Sequence, residues 1–419
     1  MRQSVYMLDI SYYLRVPAFS GGALRILQPL MKMKDKDNVK VDLLFASPSE
    51  EFTTKVRQYV EDYPAIMSAV GVCFPYDINE SIACPEDLSK DVWRTINKPL
   101  LQRALDMISQ IDYDVIQIEH SQMTWIAPIL KWKCPMAKIV LDLHNVEYLL
   151  YERWLQYERE SDLYQESYKK YQLLREWELR SWPWVDAALS VSPVESEIFT
   201  KATGNNLVWD VPTGGGVDLE KYMPAHPNRK KPYDLLYLGT MEWFPNSHGM
   251  KWFIQEVFPR VLKRIPNVNL QIVGFGKPDD HLVALSKQRK NITFWGEQRD
   301  DVAFFHKSKV FIVPLFIGAG ARVKIPTAWA SQIPIVSTTI GAEGLKYTPR
   351  KDILIADDPE AFAQAVINLL ENQKIANEIA HNAYNLATRE YSSEVCVKQL
   401  VNIYHQLAEM RHNAVDNAK

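Results

Sequence analysis

Along this chain, short apolar runs rich in β-branched residues alternate with longer segments of helical period, separated by turns that carry glycine, proline or asparagine. The short runs read as strands buried on both faces, and the longer segments as the helices that cover them. In the N-terminal half, strands are expected at 5–10, 39–45, 113–119, 138–143, 187–192 and 208–211. Helices are expected there at 23–32, 50–70, 91–110 and 148–181, and another opens at Pro193, whose fixed φ suits a first helical position. The segment 148–181 is crowded with Tyr, Trp and charged residues and reads as a surface helix pair. In the C-terminal half the strands fall at 234–239, 269–273, 292–295, 311–315, 333–338 and 353–355, and the helices at 249–265, 325–331, 359–371, 375–390 and 393–410. Strand–helix alternation of this kind predicts an α/β protein with parallel sheets. Prolines and a basic cluster at 222–233 mark a linker, 219–233, between domains 1–218 and 234–392, with a last segment at 393–419.

Composition narrows the function more than the fold. A chain of 419 residues is comfortable for two domains, and a net charge of −3 gives no basic footprint for nucleic acid. The four cysteines, Cys73, Cys84, Cys134 and Cys396, lack metal-ligand spacing and point to a reducing, cytoplasmic compartment. The N-terminus, with charge and proline inside its apolar stretch, does not read as a signal peptide, and no run approaches the ~18–20 apolar residues that span a bilayer. Peripheral contact with a membrane surface stays open, with Trp154, Trp177, Trp182 and Trp184 as amphipathic anchors. With no His/Cys cluster, no metal site is expected.

Candidate chemistry concentrates in 311–345. A strand runs into Gly318-Ala319-Gly320, then Arg322 and Lys324, then a helix and a second strand that ends at Gly341-Ala342-Glu343-Gly344. Glycines let a backbone approach an anion, Arg grips phosphate bidentately and Lys adds a point charge. This is the pattern of a diphosphate site. Gly21-Gly22, between the first strand and its helix, is a second candidate anion turn. His120 and His144 each follow a strand, at the carboxyl ends where open α/β sheets bind ligands.

The same residues carry a resemblance. Gly318, Gly320, Arg322, Lys324, Ile325, Ala328, Ala330, Pro334, Val336, Ser337, Thr338, Gly341, Glu343, Gly344 and Leu345 resemble the nucleotide-sugar site of retaining glycosyltransferases of the GT-B fold, family four, also called glycosyl transferases group 1. Asp142, His144, Asn145 and Glu147 resemble that branch's D-x-H-N-x-E signature, and Gly239-Thr240-Met241 with Trp243, Pro245 and Asn246 resembles its G-(S/T)-M-x-W-x-P-N loop. The chain departs at Thr327, where the family usually has Glu, and at Gln332, where it has Gly.

The resemblance implies two Rossmann-like domains whose parallel sheets face a central cleft, with the last helix crossing back to the first domain. It implies a sugar nucleotide, UDP- or GDP-linked, as donor substrate without a further cofactor. Catalytic roles would fall to His144, Arg322 and Lys324. Donor contacts would come from Gly21, Gly22, Gly239, Thr240, Gly274, Gly296, Gly318, Gly320, Glu343, Gly344 and Leu345. His120 and Asn145 would lie on the acceptor side. The expected reaction is retaining transfer of a sugar to a hydroxyl of a saccharide, lipid-linked or other acceptor, in polysaccharide, glycolipid or glycoconjugate synthesis. A weak or inactive subunit that binds a sugar nucleotide or a partner protein, and a sugar-nucleotide epimerase, remain as alternatives.

Overall fold

The computed structural model describes residues 4–17, 21–73, 83–157, 159, 164–211, 215–226, 228–278, 280–287, 291–298 and 300–417. The chain divides into two compact units: residues 1–216 together with 393–419, and residues 217–392.

The first unit is built on a seven-stranded parallel sheet of β1 (Val5–Ser11), β2 (Val39–Ser47), β3 (Ile66–Cys73), β4 (Val115–Glu119), β5 (Lys138–Asp142), β6 (Ala187–Ser190) and β7 (Val208–Asp210), in the order β3-β2-β1-β4-β5-β6-β7. The order reverses between β1 and β4, so the loops after these two strands flank a crevice at the carboxyl edge. Period-2 alternation assigns the faces. Leu8, Ile10, Ile116, Ile118, Ile139 and Leu141 pack on Trp182 and Phe199, while Met7, Val115, Val140 and Leu189 pack on Leu400, Tyr404 and Leu407 of the last helix, Ser393–Asn417. That second face also carries Asp9, Gln117, Glu119 and Asp142, all buried. Strand register brings Asp9 level with Gln117, and Glu119 level with Asp142.

Three expectations change here. The helix expected at 50–70 is shorter, Glu50–Val60, and Ile66–Cys73 is instead the edge strand β3. Pro64 interrupts the helical run, and the β-branched residues after it pair with β2. Trp177 and Trp182 are core residues, not surface anchors; their indole N–H groups donate to the Ser121 carbonyl at 2.9 Å and to Ser121 Oγ at 3.2 Å. The stretch expected as a linker, 219–233, belongs to the second unit: Leu219 and Tyr222 pack on its core, and the Tyr222 hydroxyl donates to Asp301 at 2.8 Å.

The second unit holds a six-stranded parallel sheet of β8 (Tyr233–Leu238), β9 (Leu270–Val273), β10 (Ile292–Gly296), β11 (Ser308–Val313), β12 (Ile335–Ser337) and β13 (Leu354–Ile355), in the order β10-β9-β8-β11-β12-β13. Its switch point lies between β8 and β11, so Gly239-Thr240 and the 314–323 loop border the crevice.

Candidate functional site

In the second unit the expected donor residues sit in turns at the carboxyl edge. Gly239 and Thr240 follow β8, Gly274 follows β9, and Gly296 ends β10. Gly318, Gly320, Arg322 and Lys324 follow β11, while Glu343, Gly344 and Leu345 come after β12. Lys324 opens the short helix Lys324–Ala330 and reaches across to the loop after β8. Its Nζ lies 3.3 Å from Asn246 Oδ1, 3.4 Å from the Tyr237 hydroxyl and 4.7 Å from the Tyr237 ring centroid. The Tyr237 hydroxyl donates to Asn246 Oδ1 at 2.8 Å, and Asn246 Nδ2 donates to the Thr240 carbonyl at 2.9 Å.

Gly239 makes this nest possible: a Cβ there would stand 2.9 Å from Lys324 Nζ and 2.9 Å from Asn246 Nδ2. Gly318 does the same for Arg322, since a Cβ would fall 2.0 Å from its Nη2 at a backbone φ of +154°. Arg322 Nη1 donates to the carbonyls of Ala319 and Gly320 and so pins the loop. Burial, reinforced by the neighbouring Arg322 guanidinium, lowers the Lys324 ammonium to about 7. Two like charges held side by side in a partly desolvated turn favour an anion. Thr327, in place of the family's Glu, turns its hydroxyl back to the Val323 carbonyl at 2.9 Å.

In the first unit, Gly22 lies in the first turn of the helix Gly21–Lys32, and a Cβ on it would stand 3.7 Å from His144 Nδ1. His144 is buried, with its ring 3.6 Å, centroid to centroid, from the ring of His120. His120 has φ of +71°, a strained conformation for a residue with a side chain. Asn145 Nδ2 donates to Glu147 Oε1 at 3.5 Å.

His144 Nε2 meets Glu119 Oε2 at 2.5 Å. Burial, with help from Arg25, lowers His144 to about 3, so the ring is neutral. Arg25, in the first turns of the helix Gly21–Lys32, is buried. Its Nε donates to Asp142 Oδ1 at 2.7 Å and its Nη1 to the Val211 carbonyl at 2.9 Å.

Glu119, Asp142 and His144 thus converge, with ligand atoms within 4.8 Å of one another, although only Asp142 and His144 share a sequence motif. The Arg25 guanidinium on Asp142 already supplies this group with positive charge. The signal in the sequence was polar residues within apolar strands, Asp9 in β1 and Gln117 and Glu119 in β4; Asn246 closed the loop motif after β8, while Tyr237 left no comparable mark.

Residues 232–372 match the family model described as Glycosyl transferases group 1. An uncharacterised 44.6 kDa protein of the cps region of Klebsiella pneumoniae is 25% identical over 395 residues, 90% of this chain and 94% of that one. A phosphatidyl-myo-inositol mannosyltransferase of Mycobacterium tuberculosis is 24% identical over 233 residues, 52% of this chain and 59% of that one. Among solved structures, the sucrose-phosphate synthase of Thermosynechococcus elongatus superposes with a TM-score of 0.71 at 15% identity, covering 96% of this chain and 99% of that one. The Anabaena protein HepE, in complex with UDP and glucose, gives 0.64 at 14% identity, covering 95% and 98%. With the two parallel sheets, these likenesses make the fold GT-B.

Proposed function

From the match of residues 232–372 to the family model Glycosyl transferases group 1, we propose that this protein is a retaining glycosyltransferase, taking a UDP- or GDP-sugar as donor and a hydroxyl as acceptor. The observation that carries the reading is the paired cations Arg322 and Lys324, gathered with glycine turns at the switch point of the second sheet. As the bond from the sugar's anomeric carbon to the diphosphate breaks, negative charge grows on the leaving group. Arg322 and Lys324 stabilise that charge with full charges, and the loop N–H groups add dipoles, without a metal ion. In the first unit, His144 serves the transfer as a neutral imidazole, with His120 and Asn145 on the acceptor side.

The mannosyltransferase relative and the UDP and glucose bound to HepE support a sugar-nucleotide donor. The Klebsiella relative's cps region and the lipid in the mannosyltransferase's name are consistent with an acceptor in a polysaccharide or glycolipid route. Thr327 favours a second reading, a weakly active subunit that holds a sugar nucleotide, because its hydroxyl is spent on the helix backbone.

Calorimetry with UDP and GDP, followed by donor-hydrolysis and transfer assays with UDP- and GDP-sugars, tests both. Transfer with retained anomeric configuration supports the first reading. Nucleotide binding without turnover supports the second, and failure to bind either nucleotide defeats both.

A further inference from the structure

The buried polar side chains at the ends of β1 and β4 form a connected line. The Tyr404 hydroxyl donates to Gln117 Oε1 at 2.8 Å, Gln117 Nε2 donates to Glu119 Oε1 at 2.6 Å, and Glu119 Oε2 meets His144 Nε2 at 2.5 Å. Asp9 lies wholly buried on the neighbouring strand, level with Gln117, and no donor among the described residues reaches either of its oxygens. Two adjacent carboxylates shielded from water do not both ionise; they hold one proton between them.

Asp9 is the member that keeps it. Burial first, then the charge of Glu119, push its carboxyl well above the usual range. Glu119 is raised by burial to about 6 and is ionised above that pH. An ionised carboxylate can only accept, so at this distance from Nε2 it selects the ring tautomer protonated there. The other groups around the pair leave this assignment intact. Arg25 is engaged by Asp142, burial drives His120 to its neutral form, and burial keeps Tyr404 protonated.

We infer that Asp9 and Glu119 are positioning residues that share one proton and hold His144 in its neutral, Nε2-protonated tautomer, with Nδ1 presented to the Gly22 turn. The value of this arrangement to the reaction rests on His144 serving the transfer. The tautomer itself does not depend on that.

The experiment is imidazole NMR on the full-length protein labelled in histidine, with the His144→Gln spectrum assigning the signal. From about pH 6 upward His144 shows the Nε2-protonated pattern. In Glu119→Gln, whose amide can donate to Nε2, the pattern shifts to the Nδ1-protonated form or a mixture. Its kcat drops at least about tenfold while UDP affinity is unchanged. Asp9→Asn, an amide donor in place of the shared proton, preserves the tautomer.

A wild-type ring protonated at Nδ1 overturns the inference even if no variant folds, as does a Glu119→Gln spectrum identical to wild type. Stoichiometric binding of Zn²⁺ or Mn²⁺ that Glu119→Gln abolishes also overturns it, in favour of a metal site. If His144→Gln transfers sugar at the wild-type rate, the catalytic role of His144 fails, and the spectra still decide the tautomer.

Discussion

Lys324 is the residue at which binding and stability pull in opposite directions. Its ammonium is lowered to about 7, by burial and by Arg322, from the ordinary lysine value of 10.5. Between those values the unfolded chain holds more protons than the folded one, so this residue's contribution to stability rises with pH. Diphosphate binding needs the charged form, so affinity falls over the same window, from about pH 7 upward. Calorimetry with UDP and thermal melts across pH 6.5–9, an interval set by that value, should move in opposite senses. Lys324→Ala should abolish the binding trend. Arg322→Ala and Lys324→Ala should each cost about 2–4 kcal/mol of transition-state stabilisation, read from kcat/KM, with melting temperatures close to wild type.

At the scale of elements, the turns after the strands hold the site and the strands fix what those turns can reach. Gly239→Ala places a methyl 2.9 Å from Lys324 Nζ and Asn246 Nδ2, at the exit from β8. Overpacking of this kind should cost about 1–3 kcal/mol in chemical denaturation and weaken UDP binding as Lys324 is displaced. In the first unit, the helix Gly21–Lys32 is tied to β5 by Arg25 and Asp142, both buried. Arg25→Ala leaves a buried carboxylate without its partner and should destabilise by about 3–5 kcal/mol, measured as a shift in the denaturation midpoint. Most strands could be read from their apolar runs. β3 could not, because 50–70 carries helical spacing up to Val60, and its end is set by Pro64 and by the free edge of β2.

For the whole molecule, the charge balance bears on the reaction. The group Glu119, Asp142 and His144 has the ligand types of a metal site but is already served by Arg25. On the proposed reading, Arg322 and Lys324 of the second unit supply the positive charge for a leaving diphosphate. Transfer should therefore survive EDTA at near-full rate; complete loss, restored by Mg²⁺ or Mn²⁺, would overturn the metal-free reading. The last helix, Ser393–Asn417, belongs to the first unit's core through Leu400, Tyr404 and Leu407. Contacts with strands so distant in sequence leave no local trace, so its apolar stripe predicts a helix but not which sheet it covers.

The sequence by itself determined the α/β class, the strand-to-turn positions of the glycines, and the pairing of Arg322 with Lys324, because all of these follow from periodicity and near-neighbour spacing. It also marked His120 and His144 as residues at strand ends. Tertiary structure alone decided that Lys324 settles between Tyr237 and Asn246, that Arg25 is spent on Asp142, and that Asp9, Glu119 and His144 converge. Those pairings depend on strand order and register, which bring level residues far apart in the chain. They depend as well on burial, which sets the protonation of each carboxyl, imidazole and ammonium only after the sheets are covered.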